Sequence, residues 1–455
     1  MAKTLPSREC LPPHVVSTRL AKTASKLAGA LLSRSASTSR HLTKFCPENW
    51  FFRTSWLLGL EPICPLVLLR GLMTKEHRII PLNTRPTRLG AFWAAILILT
   101  ALSALSPGTR AEGKKDFVFM NIVDTTEGFL LFGFAPAINN AGTVAFEAAG
   151  SDFLTGSVWK WQHGNLTLIA TSTDDVLHNF GDNIVINSSG TVGFNARVPA
   201  THDTIIATGD GGALNIIASA NEDGLVGGAV LGLSALNDSG NVVFPAFRKD
   251  TFTQAIFVGN GGPLQVVVDT VTDGFSALGN SDISASGKIV FTGFLPDGTE
   301  GIFLRAGKIS GVIDTNDPDK LGFIDPVMND SGTIGIGAFL SGGGSQVLTA
   351  KGSKITPRTD PERQSFLFVD NVCINNSGDV AFTGETLIGG GIFVELTGSA
   401  DPVSVIETGD PLFGSTVVNL TNGRFSLNNR REIVFHYQLA DGRSGIAIAS
   451  RQPCH

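Results

Sequence analysis

Leu236-Asn237-Asp238-Ser239-Gly240-Asn241-Val242-Val243-Phe244 is the stretch that decides how this chain folds. It runs from an apolar residue through a tight polar turn into a second apolar run. Asn can hydrogen-bond to the backbone two residues on and tolerates left-handed dihedrals. Gly three residues later takes a positive φ without a steric penalty. Apolar residues on both sides make this a β-hairpin. The pattern occurs seven times, starting at Ile138, Ile186, Leu236, Ile283, Met328, Ile374 and Leu427. Successive starts are 48, 50, 47, 45, 46 and 53 residues apart. Self-similarity at that period is the mark of propeller blades or solenoid coils. Arg431 stands in the last copy where the others have Gly, so that turn must be strained or of a different type.

Each copy goes on to a short apolar run, a second Gly-rich turn such as Gly259-Asn260-Gly261-Gly262, and a fourth run such as residues 264–269. Four short strands per copy fit a propeller blade. The last copy stops after its third strand, residues 445–449. The missing fourth strand stands at the other end, at residues 117–124, Phe-Val-Phe-Met-Asn-Ile-Val-Asp. The expectation is an all-β, seven-bladed β-propeller over residues 112–455, closed by pairing the N-terminal strand with three C-terminal strands. Closure removes the unpaired edges that an open array would leave. Pro357 falls in a fourth run, which is acceptable only if that strand is the outer edge.

Residues 1–72 carry no copy of the pattern and read as unstructured or as an over-extended gene start, with translation beginning at Met73. Residues 73–111 combine a basic leader (Lys75, Arg78, Arg85, Arg88) with an uncharged apolar run at 89–105. That is the layout of a signal peptide, with an uncleaved membrane anchor as the alternative. Of 34 Lys+Arg in the chain, 15 lie in residues 1–111, leaving 19; of 40 Asp+Glu, 4 lie there, leaving 36. The remainder is 17 units negative (36 − 19), which argues against nucleic acid, since phosphate binding needs a basic face. The reading is a secreted or periplasmic, envelope-associated protein that touches membrane only through the N-terminal apolar segment if that is uncleaved. Cys373 and Cys454 would form a disulfide or remain two lone thiols.

An acidic turn follows the fourth strand of each copy, for example Asp174 and Asp175, Asp269 and Asp273, and Glu407 and Asp410. In a propeller these turns share one rim. They are first of all good turn formers. The functional reading is a ligand-binding rim including Asp269, Asp273, Glu407 and Asp410, with Asp314, Asp317 and Asp319 as the densest candidate for a metal, Ca²⁺, because hard cations want carboxylate oxygens. Trp159 and Trp161 face one side of a strand and are read as blade packing rather than sugar stacking. The recurrent Phe residues read as core. His163, His178, His202, His436 and His455 form no metal-type pair and read as surface or strand residues. No nucleophile, phosphate-loop or dinucleotide motif is present, and no catalytic residue is assigned.

Asn139, Gly142, Ala145 and Phe146, with Asn375, Gly378, Ala381 and Phe382, resemble a family of bacterial exported proteins with tandem Asn-x-x-Gly…Ala-Phe repeats. Ser284 and Arg431 depart from its pattern. The resemblance implies export and carries no activity and no cofactor; the end of the chain, residues 451–455, lacks the family's sorting tails. The functional expectation is a binding or scaffold module for a protein or glycan ligand; the alternative is an extracellular enzyme, a lyase or hydrolase, acting on glycans.

Overall fold

The computed structural model describes residues 116–452 apart from 151–155, 173–176, 179, 182, 228–231 and 400. The expected leader segments, 1–72 and 73–111, lie outside the described residues, as do Asp174, Asp175 and Cys454. Seven antiparallel sheets follow one another along the chain, six of them built from consecutive strands. Blade four shows the pattern from the axis outward: Ala277–Ile283, Ile289–Phe294, Glu300–Ala306, Lys308–Asp314. Blade seven has Ser415–Thr421, Glu432–Leu439 and Ser444–Arg451, and its outer strand is Phe117–Asp124. Phe119 pairs with Ala449 and Asp124 with Gly445, so the first strand closes the last blade as expected. The chain is a seven-bladed β-propeller. Pro357 lies in the outer strand of blade five, Lys354–Pro357, where a missing donor breaks no ladder.

The core is not one cluster but a series of wedges between neighbouring blades. The Phe that ends each hairpin motif fills them: Phe146, Phe194, Phe244, Phe291, Phe382 and Phe435 are all fully buried, and Ile336 takes the place in blade five. In three blades this Phe stacks on the one directly opposite in the third strand, as Phe244 on Phe257, Phe291 on Phe303 and Phe382 on Phe393. Trp159 and Trp161 pack against the wedge between blades seven and one.

The motif's Asn has two jobs, one within its blade and one between blades. Its side-chain oxygen caps its own turn, as Asn139 Oδ1 does for the N–H groups of Ala141 and Thr143. Its amide donates to the backbone carbonyl of the same position in the next blade. Asn139 bonds Asn187, which bonds Asn237, which bonds Ser284; Asn329 bonds Asn375, which bonds Asn428, which returns to Asn139. Six links of a seven-membered ring are made. The gap falls after Ser284, whose hydroxyl still caps its turn from Lys288 N but is too short to reach the next blade. All seven side chains are buried, so an orphaned amide there would cost about 1–3 kcal/mol. A second tier of bonds runs beside the first, from Ser188 N to Asp238, Asp330 N to Asn376, Asn376 N to Asn429 and Asn429 N to Asn140.

Arg431 keeps the shared turn. Its φ is +63°, and its N–H bonds Asn428 O just as Gly142 N bonds Asn139 O. The left-handed strain of roughly 1–2 kcal/mol is offset because its guanidinium reaches the fully buried carboxylate of Asp379 in blade six at 2.8 Å. Burial alone would raise the Asp379 carboxyl, but Arg431, the Thr397 N–H and the Asn375 amide outweigh it and hold it below the usual range.

Candidate functional site

Antiparallel alternation gives the ring two dissimilar faces. The Asn turns and the turns between third and outer strands lie on one. The connections between blades and those between second and third strands lie on the other, the loop face.

On the Asn face the axis opens into a cavity of about 160 Å³. Its wall is the residue before each Asn: Ile138, Ile186, Leu236, Ile283, Met328, Ile374 and Leu427. Its floor is a segment of blade seven between Thr421 and Leu427 that crosses the axis. Phe425 packs against three wedges on the far side of the ring, and its carbonyl accepts from Ile138 N. Arg424 donates to Pro326 O at 2.7 Å and Ser281 O at 3.4 Å. Asn422 donates to Asn371 O and Ser426 Oγ. One short segment thus ties blade seven to blades one to six. Sequence reasoning missed it; its only trace is the longest spacing, 53 residues before Leu427.

Arg424 stands among carboxyls. Asp282 is buried, and burial pushes it up, against the pull of Arg424 and of the Met328 and Ile283 N–H groups that it accepts. Asp370 is likewise raised by burial, with Asp325 adding to the shift, and Asp325 accepts from Asn280 at 2.6 Å. Cys373, beside the same segment, is a buried free thiol hydrogen-bonded to Ala381 O and near Ser426 Oγ. Burial pushes it up to about 11, so it stays protonated.

On the loop face the expected site residues are built into their own turns. Asp269 caps the short helix Thr270–Asp273 through Val271 N and pairs with Arg248 at 2.6 Å. Burial acts to raise its carboxyl, and Arg248 with the backbone donors more than reverses this. Asp273 accepts from Asp269 N, and Asp410 accepts from Glu407 N, both at 2.8 Å; Asp223 does the same for Ser219 N. The recurring acid is therefore a reciprocal turn device. Asp314 accepts from Asn316 N and Asp317 from Asp319 N, and the Asp319 carbonyl accepts from Ser341 N. Asp314, Asp317 and Asp319 share one turn, and among the described residues no three His, Cys, Asp or Glu converge in metal-ligand geometry.

The loop face carries what the sequence reading did not single out, exposed apolar side chains. Leu387 and Ile388 are each 84% exposed, Phe252 74%, Val271 69% and Leu321 67%. Other exposed large apolar residues lie on this face, as Phe134 and Val418 do, or on outer strands, as Met120 and Leu168 do; among the described residues none lies in a turn of the Asn face.

Fold and closure define a seven-bladed propeller with its N-terminal strand in the last blade. The chain belongs to a family of unknown function (DUF7453), whose model matches residues 120–391. No curated protein matches it in sequence. Among solved structures it is similar to the β-propeller domain of the Trilobed protease from Pyrococcus furiosus, at 12% identity over 71% of this chain and 96% of that one, TM-score 0.49. It is similar to a prolyl endopeptidase at 13% identity over 81% of this chain and 56% of that one, TM-score 0.48. A lectin from Aleuria aurantia, determined with a fucoside, is 10% identical over 63% of this chain and 99% of that one, TM-score 0.39.

Proposed function

We propose that this protein is a secreted or envelope-associated binding module that presents its loop face to a macromolecular partner. The observation that supports this is the one-sided placement of exposed apolar side chains. These side chains stand on loops and at one strand end of blades three, five and six, where a partner would take them out of water, while the turns of the Asn face are tied to one another by hydrogen bonds. The partner is a protein or glycan; the net negative charge of the described part disfavours nucleic acid. Ca²⁺ remains a proposed ligand of the Asp314, Asp317 and Asp319 turn, with a raised melting point on adding Ca²⁺ and its reversal by EDTA as the check. Export rests on the leader, residues 73–111, and is checked by the N-terminal sequence of protein recovered outside the cytoplasm.

The test of the binding role is site-specific photo-crosslinking in the producing cell. Crosslinking side chains at Phe252, Val271 and Leu321 are expected to capture a common partner, and those at His163 and Asn260, in turns of the other face, are not. Equal labelling from both faces overturns the proposal.

A further inference from the structure

We infer that the blade-six end of the loop face docks a basic, apolar-tipped segment of a partner protein; this rests on the binding role proposed above and narrows it to one place. In blade six the strands Val380–Thr386 and Gly389–Glu395 are joined by a two-residue hairpin whose tip is Leu387 and Ile388. A tip of that length favours Gly, Asn or Asp, for reasons of backbone conformation. The loops at this position in blades four, five and seven are longer and carry such residues, with Pro296-Asp297-Gly298, Ser341-Gly342-Gly343 and Asp441-Gly442. Leu387 and Ile388 gain nothing from the fold, since both are 84% exposed. Two bulky apolar residues held at the end of a rigid hairpin form a preorganised anchor.

Behind them lies a cavity of about 360 Å³, lined by Leu387, Ile388, Phe393, Gln364 and Glu407. Its volume suits one large side chain of a partner. The charge around it is one-sided. Residues 360–410 contain nine acids and a single base, Arg363. Arg363 is already paired with Asp401 at 2.6 Å. Among the acids, Asp379 and Glu395 are matched by Arg431 and Arg358 from neighbouring blades. Glu385 lies against the hairpin at Gly390, and Asp360 and Glu362 belong to the turn whose Gln364 lines the cavity; Lys or Arg on the occupant would meet these acids. Complementary potential steers encounter and selects partners, so the chemistry selects an apolar residue flanked by basic ones.

The experiment pans the full chain against a random-peptide phage library, then measures the enriched peptides by fluorescence anisotropy. Enriched peptides are expected to carry a Leu, Phe or Trp next to Lys or Arg, and to bind more weakly as salt screens the acids. The double variant Leu387→Ser, Ile388→Ser, folded by circular dichroism, is expected to lose roughly tenfold or more in affinity, as when an interface anchor is truncated. Leu168→Ser, an exposed apolar position on an outer strand of blade one, is expected to leave binding unchanged. Acidic or purely polar winners, no enrichment, or binding indifferent to the double variant overturns the inference. Loss only in Phe252→Ser, on blade three, moves docking to another blade and leaves the broader binding role standing.

Discussion

The two faces of this ring are made by different uses of the same residue types. On the Asn face polar side chains are buried and turned inward, each capping its own turn and reaching the next blade. On the loop face acids cap the turns locally, and the apolar side chains are left in water. One face holds the circle together and the other is free to vary, because its loops hang from blades that are already fixed.

Substitutions should separate the faces by the size of their effect. The largest is expected from Asn375→Ala, which removes its bonds to Asn428 O, Asp379 N and Asp379 Oδ2. At about 1 kcal/mol each, denaturant midpoints should fall by the equivalent of about 3 kcal/mol. Next comes Arg431→Gly. It relieves the left-handed strain but strands the buried Asp379, and breaking such a pair costs about 3–5 kcal/mol, so a net loss of about 2 kcal/mol is expected. Adding Asp379→Asn should recover part of that loss, and a stabilising single variant would contradict the account.

A smaller effect is a pH dependence centred on blade seven. His436 is buried against Phe134, with Nε2 at 2.8 Å from Ser444 Oγ, and burial brings it down to about 4. The folded state therefore favours the neutral ring. That stability is complete above the unfolded value near 6.5 and is lost as pH falls from there through about 4. From pH of about 6.5 to about 5.5 the loss should be near 1 kcal/mol, read as the pH slope of the midpoint and absent in His436→Gln. Ser284→Asn should act the other way, supplying the seventh inter-blade link and stabilising by at most about 1 kcal/mol. The smallest change belongs to Leu387→Ser with Ile388→Ser, expected within about 0.5 kcal/mol of the parent protein. A large loss there would mean that the hairpin tip supports the fold after all.

The legible part of the molecule was what repeats and what is local. Asn237 and Gly240 announce a turn from two residues' chemistry, and seven such turns with one strand displaced to residues 117–124 gave both blade number and closure. The acids after each fourth strand were legible as turn formers for the same reason, since Asp273 and Asp410 act on residues three or four away. What could not be read needed the blades side by side. The amide of Asn139 meets Asn187 only after two blades stand next to each other, and Arg431 looks anomalous until Asp379, 52 positions away, comes within reach. Arg424 and Phe425 belong to no repeated pattern, so nothing in their own sequence says that they cross the axis. The exposure of Leu387 and Ile388 was likewise hidden, because an apolar pair reads as strand interior until the hairpin is seen to turn there.

Closing blade seven with its outermost piece taken from the opposite end has a consequence for biosynthesis. Asn121 and Tyr437, whose side chains meet across that seam, are 316 positions apart. At about 5–20 residues per second, the early piece waits roughly 15–60 s for its neighbours to emerge. For that interval it is an apolar ribbon without its partner strand, and loss of residues 117–124 is expected to be as damaging as loss of residues 445–451, with which they pair.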